Sequence, residues 1–351
     1  MMTEQPGVVV LFSSGETAAS GRRVYDWLLR RLSPPIRIAV LETPAGFQPN
    51  SALVAKKVAD FMRNRLQNYQ PEVTVIPARK RDTLFSPDDA SIVAPLLEAN
   101  AMFLGAGSPT YAVRQLQGSL AWHTLLARHR LGAAIILASA GAIAASVQAL
   151  PVYEIYKVGD DPHWCPGLDL FGPYGLSLAF ISHFDNTEGG AELDTSRGFI
   201  GRARFDQLLA TLRQETVVVG LDEHTALIVD LVAGACQVLG RGAVTLCHAK
   251  DEQCYRDGQS FAVTELGAFH MPEPQDSIPD EVWERVQAAR FEAQAQTVPQ
   301  PPPEVLALAE EREAARAHRD WATADNLRER ITVLGWEVRD TPSGTELAPV
   351  G

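Results

Sequence analysis

Ile135-Ile136-Leu137-Ala138-Ser139-Ala140-Gly141-Ala142 decides how this chain is read. An apolar run leads straight into a serine and three small residues, the pattern of a buried strand that turns sharply into a helix. The turn is tight, and Ala140 and Gly141 leave room for it. A serine held there stands at the carboxyl end of its strand, where open α/β sheets bind ligands. The first N–H groups of the following helix have no partner of their own and are free to face a developing oxyanion. The same residues also fit an N-cap serine that opens a small-residue helix.

The wider segment Leu131–Leu150 carries no charge over 20 residues, enough to span a membrane. Its Ala, Gly and Ser content makes transfer into lipid weak, so a buried strand–turn–helix is expected instead. Upstream, Gly7–Phe12, Ile36–Leu41, Val73–Ile76, Ala101–Leu104 and Ala133–Ala138 read as short apolar strands. Between them Val24, Trp27, Leu28 and Leu32, then Val54, Val58, Phe61 and Met62, recur at helical spacing, with Asn50 as N-cap of the second helix; Ser91–Leu97 lies in a third. Fully apolar strands alternating with amphipathic helices predict an α/β fold with a doubly wound, mostly parallel sheet covered on both faces. After Pro151 the alternation weakens, and Gly159–Gly175 reads as a loop or insertion. Strands return at Leu178–Ile181, Thr216–Leu221, Ala226–Val229 and Ala243–Cys247, followed by a helix over Pro279–Gln296.

Thr297-Val298-Pro299-Gln300-Pro301-Pro302-Pro303 reads as a stiff linker. Beyond it, Glu304–His318 and Trp321–Leu334 are helical, Gly335 occupies a C′ position, and Trp336–Val338 and Thr345–Leu347 form strands around the turn Pro342-Ser343-Gly344. The expected division is an α/β domain over 1–296, a linker over 297–303 and a small helical hairpin over 304–351. A chain of 351 residues has room for both.

Hydrophobic residues make up 46% and charged residues 21%, which excludes a disordered or collagen-like chain. There are 31 Lys and Arg against 43 Asp and Glu, a net charge of −12, a poor balance for general nucleic-acid binding. The first apolar run, Val8–Phe12, is too short for a secretory signal and no basic region precedes it. Cys165, Cys236, Cys247 and Cys254 form no CxxC pair and read as reduced thiols, so a cytoplasmic location is expected. Asp161-Pro162-His163-Trp164-Cys165 lacks a zinc spacing, and neither a metal nor another cofactor is expected.

A serine nucleophile needs a base, and the base an orienting acid. Leu178–Ile181 leads into Ser182-His183-Phe184, and Val217–Leu221 into Asp222-Glu223-His224, so His183 and Glu223 both fall at strand ends. Taken alone, His183 also fits a loop or core histidine and Glu223 a solvated turn residue.

Four segments together carry a family resemblance: Gly105-Ala106-Gly107-Ser108-Pro109-Thr110 with Tyr111–Leu116 after it, the turn around Ser139, Ser182-His183-Phe184, and Gly220–Leu227. Over roughly residues 7–265 the chain resembles the S51 serine peptidases, the group containing dipeptidase E and cyanophycinase, whose fold is similar to the class I glutamine amidotransferase domain and flavodoxin-like. The resemblance implies Ser139 as nucleophile, His183 as base and Glu223 as orienting acid. It places oxyanion donors at the N–H groups of Gly107 and Ala140, and substrate contacts at Ser108 and Thr110. Arg197-Gly198-Phe199-Ile200-Gly201-Arg202 is similar to a segment that holds an aspartyl-type substrate, so Arg197 and Arg202 are implied to grip a carboxylate. Three departures stand out: Leu137 where the family usually has Gly, which is expected to crowd the turn; Ser108-Pro109 in the glycine loop; and an apparent insertion over Asp185–Ser196, expected to reshape the pocket. With no Cys at the elbow, glutamine amidotransferase activity is not expected. The implied activity is hydrolysis of an amide or isopeptide bond in a small, aspartyl-containing substrate; the other reading is an inactive domain that keeps a pocket and binds a ligand or partner.

Ala309–Ala317, Asp320–Arg328 and Asp340–Thr345 resemble, in order, the C-terminal tail of cysteinyl-tRNA synthetase. That resemblance implies RNA contact. Residues 304–347 nevertheless hold six Arg against ten Asp or Glu, a net of −4, which favours a hairpin that packs on another surface or protomer over one that holds phosphates. The expected partners are a small-molecule or peptide substrate, with no membrane and no DNA; RNA contact by the tail and homo-oligomerisation are left open.

Overall fold

The computed structural model describes residues 5–248, 251–297, 301–341 and 344–349. The chain divides into two units, Met1–Ala289 and Arg290–Gly351.

In the first unit, β1 (Val9–Phe12), β2 (Arg37–Leu41), β3 (Glu72–Ile76), β4 (Ala101–Leu104) and β5 (Ala134–Ala138) form the parallel part of an eight-stranded sheet. They lie in the order β3-β2-β4-β5-β1, and a meander continues antiparallel from β1 through Thr225–Asp230, Ala235–Gly240 and Ser260–Ala262. Period-two alternation sends successive side chains to opposite faces, and both faces are buried. Val10, Phe12, Ile38, Val40, Phe103 and Ile136 pack against the helices Ala19–Leu29 and Ser51–Arg65. Leu11, Leu41, Leu104, Ile135 and Leu137 face the other core, with the helices Pro109–Leu116 and Leu120–Arg130. The expected α/β fold with a large, mostly parallel, two-faced sheet is the one observed.

The later strands divide in a way the apolar runs alone did not suggest. Leu178–Ile181 and Val217–Leu221 pair in parallel but belong to a separate four-stranded sheet, completed antiparallel by Ala243–His248 and Asp251–Arg256. Phe180, Val218, Val219 and Leu246 of this second sheet pack into the same core as Leu11 and Leu137 of the first.

Leu131–Leu150 is β5, the turn at Ser139 and the short helix Ala140–Ala144, as expected, and no helix among the described residues is long and apolar enough to cross a membrane. Asn50 precedes the helix Ser51–Arg65, but its side chain makes no capping bond. The helix expected over Ser91–Leu97 is a four-residue α-turn that tightens into a 3₁₀ turn at Pro95, where proline removes an amide donor.

The linker is shorter than the prolines suggested. Helix Asp280–Thr297 reaches Thr297, and Pro303 already starts the next helix. Pro302 between them has polyproline angles, and 298–300 lie outside the described residues. In the second unit, helices Pro303–Ala317 and Trp321–Val333 pack through Val305, Leu308, Leu327 and Ile331. Trp336 and Val338, on the strand Trp336–Thr341, close that core. Its partner strand runs Gly344–Pro349, and the expected turn residues Pro342 and Ser343 lie outside the described residues. Buried Arg312 binds Asp340 through two hydrogen bonds of 2.9 and 3.0 Å, and Arg316 pairs with the same carboxylate.

Candidate active site

Four strand ends converge on one crevice. β1 ends in Ser13-Ser14, β5 in Ser139, Leu178–Ile181 in His183, and Val217–Leu221 in Glu223. The helix after β1 covers one face of the large sheet, and the helix after β5 packs on the other. Their connections therefore diverge and leave an opening between them.

Ser139 has φ 50° and ψ −112°, a conformation that costs a non-glycine residue about 1–3 kcal/mol and persists only where the surroundings impose it. Three hydrogen bonds impose it here. The Ser139 N–H donates to Phe12 O at 3.0 Å, the Gly141 N–H to Gly105 O at 3.1 Å, and the Ser182 hydroxyl to Ser139 O at 3.3 Å. Gly141 is obligatory, because a Cβ there would sit 2.4 Å from Leu104 O. The turn forms with Leu137 in place: its side chain is fully buried in the core that also holds Leu11 and Leu104.

Ser139 Oγ lies 3.2 Å from His183 Nε2, and His183 Nδ1 lies 3.0 Å from Glu223 Oε1. Glu223 Oε1 also accepts from Asn186 Nδ2 at 2.8 Å, and the Glu223 N–H donates to Asp185 at 2.7 Å. Burial raises the Glu223 carboxyl, but the hydrogen bonds from Asn186 and His183 outweigh it and hold the group below the usual carboxylate range. Two serines fix the turns: Ser13 Oγ accepts from the His183 N–H at 2.7 Å, and Ser14 Oγ from the His224 N–H at 3.0 Å. His183 and His224 both have φ near 55°. The Phe199 ring packs on the His183 imidazole, centroids 5.2 Å apart.

A cavity of about 370 Å³ opens beside Ser139, lined among others by Gly107, Ala140, Tyr153, Tyr156 and Phe199. The Gly107 and Ala140 N–H groups find no acceptor among the described residues. Gly107 has φ 155°, and a Cβ there would lie 1.9 Å from Pro44 O, so only glycine keeps that loop against the strand end.

The other implied substrate contacts are placed elsewhere. Ser108 is buried and caps the helix Pro109–Leu116 through the Tyr111 N–H. Thr110 Oγ1 donates to Glu154 Oε1 at 2.6 Å. Arg197 and Arg202 do not line the cavity: both approach Glu252, at 3.6 and 3.0 Å, and the Arg197 guanidinium stacks 3.8 Å from the Phe184 ring centroid. A carboxylate supplied by the chain itself occupies the arginines.

Asp185–Ser196 is an irregular loop that brings Glu188 to the cavity, so it does shape the pocket. Two of the four thiols are inert by burial, which pushes Cys247 up to about 12 and Cys236 further. No cluster of three metal-ligating side chains occurs among the described residues. Sequence reasoning did not single out Ser13, Ser14 or Lys157, the last of which also lines the cavity, and within the expected 185–196 insertion it did not single out Asn186 or Glu188. The doubled serine after an apolar run was the visible signal for the first two. The others depend on loops whose course no local pattern gives.

Comparison with known proteins divides the same way as the fold. Residues 298–346 match the family of the cysteinyl-tRNA ligase anticodon binding domain. Cysteine–tRNA ligase 1 of Burkholderia lata is 52% identical over 46 residues, 13% of this chain and 10% of that protein. The cysteine–tRNA ligase of Methanosarcina acetivorans is 54% identical over 43 residues, 12% of this chain and 9% of that protein. The chain thus spans about a tenth of the length of the curated relatives it matches. A peptidase from an acI-B1 Actinobacterium shares the fold at a TM-score of 0.59 and 19% identity, covering 74% of this chain and 98% of that one.

Proposed function

We propose that the first unit is a serine hydrolase that cleaves an amide or isopeptide bond in a small, aspartyl-containing substrate. The observation that carries this reading is the connected chain Ser139 Oγ–His183 Nε2–Glu223 Oε1, at 3.2 and 3.0 Å, built on a strained serine at the mouth of a cavity. His183 takes the Ser139 proton as Oγ bonds to the carbonyl carbon. Glu223 holds the imidazole in the tautomer that presents Nε2 to the serine and stabilises the imidazolium that forms. The Gly107 and Ala140 N–H groups receive the developing oxyanion; one such donor is typically worth about 3 kcal/mol of barrier. Collapse breaks the C–N bond, and the amine leaves with the proton from His183. Water then adds to the acyl-serine, giving its proton to His183, and that proton returns to Ser139 as the acid departs.

The reading of an inactive pocket rested on Leu137, and Leu137 lies in the core. The test is hydrolysis of α- and β-aspartyl dipeptides by the full chain, with Ser139→Ala as control. Turnover that disappears in the control supports the proposal; turnover that survives it defeats it.

For the second unit, we propose an accessory docking module, with a protein surface favoured over RNA by its net charge of −4. Aminoacylation is no part of this proposal, since the matched segment is a tenth of the ligases.

A further inference from the structure

The cavity beside Ser139 carries two oppositely charged side chains that the triad does not use. Lys157 and Glu188 both line it. Neither forms an ion pair with a described residue: the Lys157 ammonium rests 5.3 Å from the Tyr153 ring centroid, and the Glu188 carboxylate bonds to no described residue. Opposite charges that line one cavity without neutralising each other are available to a ligand.

Both are carried by segments tied to the catalytic machinery. Lys157 sits in the π-helical turn Glu154–Val158, fixed by the Thr110–Glu154 bond to the helix that follows Gly107. Such turns are frequent at functional sites. Glu188 sits in a loop whose N–H donates to Asn186 Oδ1 at 3.1 Å, while Asn186 Nδ2 holds Glu223. A Thr195 hydroxyl accepting from the Gly189 N–H at 3.0 Å closes the same loop. With Arg197 and Arg202 engaged by Glu252, Lys157 is the one lysine or arginine among the described lining residues.

We propose that Lys157 and Glu188 select a zwitterionic ligand, a short peptide with both ends free, its carboxylate on Lys157 and its ammonium on Glu188, with an amide bond at Ser139. A cavity of about 370 Å³ lies at the small end of ligand sites and suits two or three residues. As a substrate assignment this rests on the hydrolase reading; as a binding assignment it is tested separately. Both side chains are exposed, so each contact is screened and the expected effects are moderate.

Ser139→Ala, which removes the nucleophile and keeps the cavity, is titrated calorimetrically with a panel of free Xaa-Ala dipeptides. The tightest is compared with its N-acetyl and C-terminal amide forms. Each cap should weaken binding about tenfold, the scale of 1.4 kcal/mol. Adding Lys157→Gln should abolish the penalty of the amide cap and leave that of the acetyl cap; Glu188→Gln should do the reverse. Caps that cost less than twofold, penalties unchanged by the variants, or a panel with no binder each overturn the proposal. Charge-dependent binding without turnover by the unmodified chain would defeat the hydrolase reading alone. Ser139-dependent turnover that ignores both caps would defeat this one alone.

Discussion

Asn186 shows how much of the Ser139–His183–Glu223 arrangement is held from outside its three members. Its amide donates to Glu223, and its carbonyl oxygen fixes the loop that carries Glu188. Because that hydrogen bond helps hold the Glu223 carboxyl low, Asn186→Ala should let it rise. A carboxyl depressed in the fold contributes stability above its unfolded pKa and loses it as pH falls through the folded value. In the variant that contribution is smaller and its loss is complete at higher pH, and the acid limb of kcat/KM should move upward, read from a pH–rate profile. Leu137 gives the opposite kind of prediction. It is fully buried, so Leu137→Ala should cost about 2–5 kcal/mol in a urea titration. Ser139-dependent turnover per folded molecule should survive, since the side chain packs in the core.

At the scale of elements, the strands were legible wherever both faces are covered. Ala101–Leu104 and Leu178–Ile181 fall where their apolar runs place them, because every residue in them is buried. Asp251–Arg256 was illegible for the converse reason: it is an outer strand with mostly exposed residues, and its polar sequence carries no burial signal. The positions of Ser139, His183 and Glu223 followed from strand ends, whereas the misplaced arginines depended on Glu252, distant in sequence and recruited by the fold. Lys157 was unreadable because Glu154–Val158 is placed by tertiary contacts, the Thr110 hydrogen bond, buried Ile155 and the Tyr156–Phe199 ring contact, that no local pattern gives. Thr110→Val leaves both carboxylate oxygens of Glu154 without their partner, Oε2 being already buried and unbonded. KM should rise several-fold with kcat little changed, because the turn bearing Tyr153 and Lys157 loosens while the triad stays; an unaltered KM counts against that tether.

Over the whole molecule, acid should act on the two units in different pH ranges. His129 is fully buried in the first unit, its Nε2 bonded to the Tyr174 hydroxyl, and burial pushes it down to about 3. A histidine depressed in the fold binds fewer protons than the unfolded chain, so stability is full above pH about 6.5 and falls as pH drops toward 3. The slope is at most about 1.4 kcal/mol per pH unit. Urea midpoints between pH 7 and 5 should show it, and His129→Phe should flatten it while lowering stability throughout. In the second unit Arg312 and Arg316 hold the Asp340 carboxyl far below the usual range, so that network persists to much lower pH. Removal of the second unit has a narrow permissible point. Val282, Trp283 and Val286 pack against Ala127 and Leu131, so a chain ending at Ala289 should keep its melting temperature, and one ending at Pro279 should not.

Ser139 hangs from an eight-stranded slab, and His183 and Glu223 from a four-stranded one. Their 3.2 Å contact is therefore a gauge of how one slab is seated on the other. Displacing a catalytic group by 1 Å can cost about a hundredfold in rate, whereas far-ultraviolet dichroism registers only broken strands and helices. Turnover should fade at lower denaturant, and under milder hydrostatic pressure, than secondary structure does, making the reaction itself the most sensitive strain sensor the molecule contains.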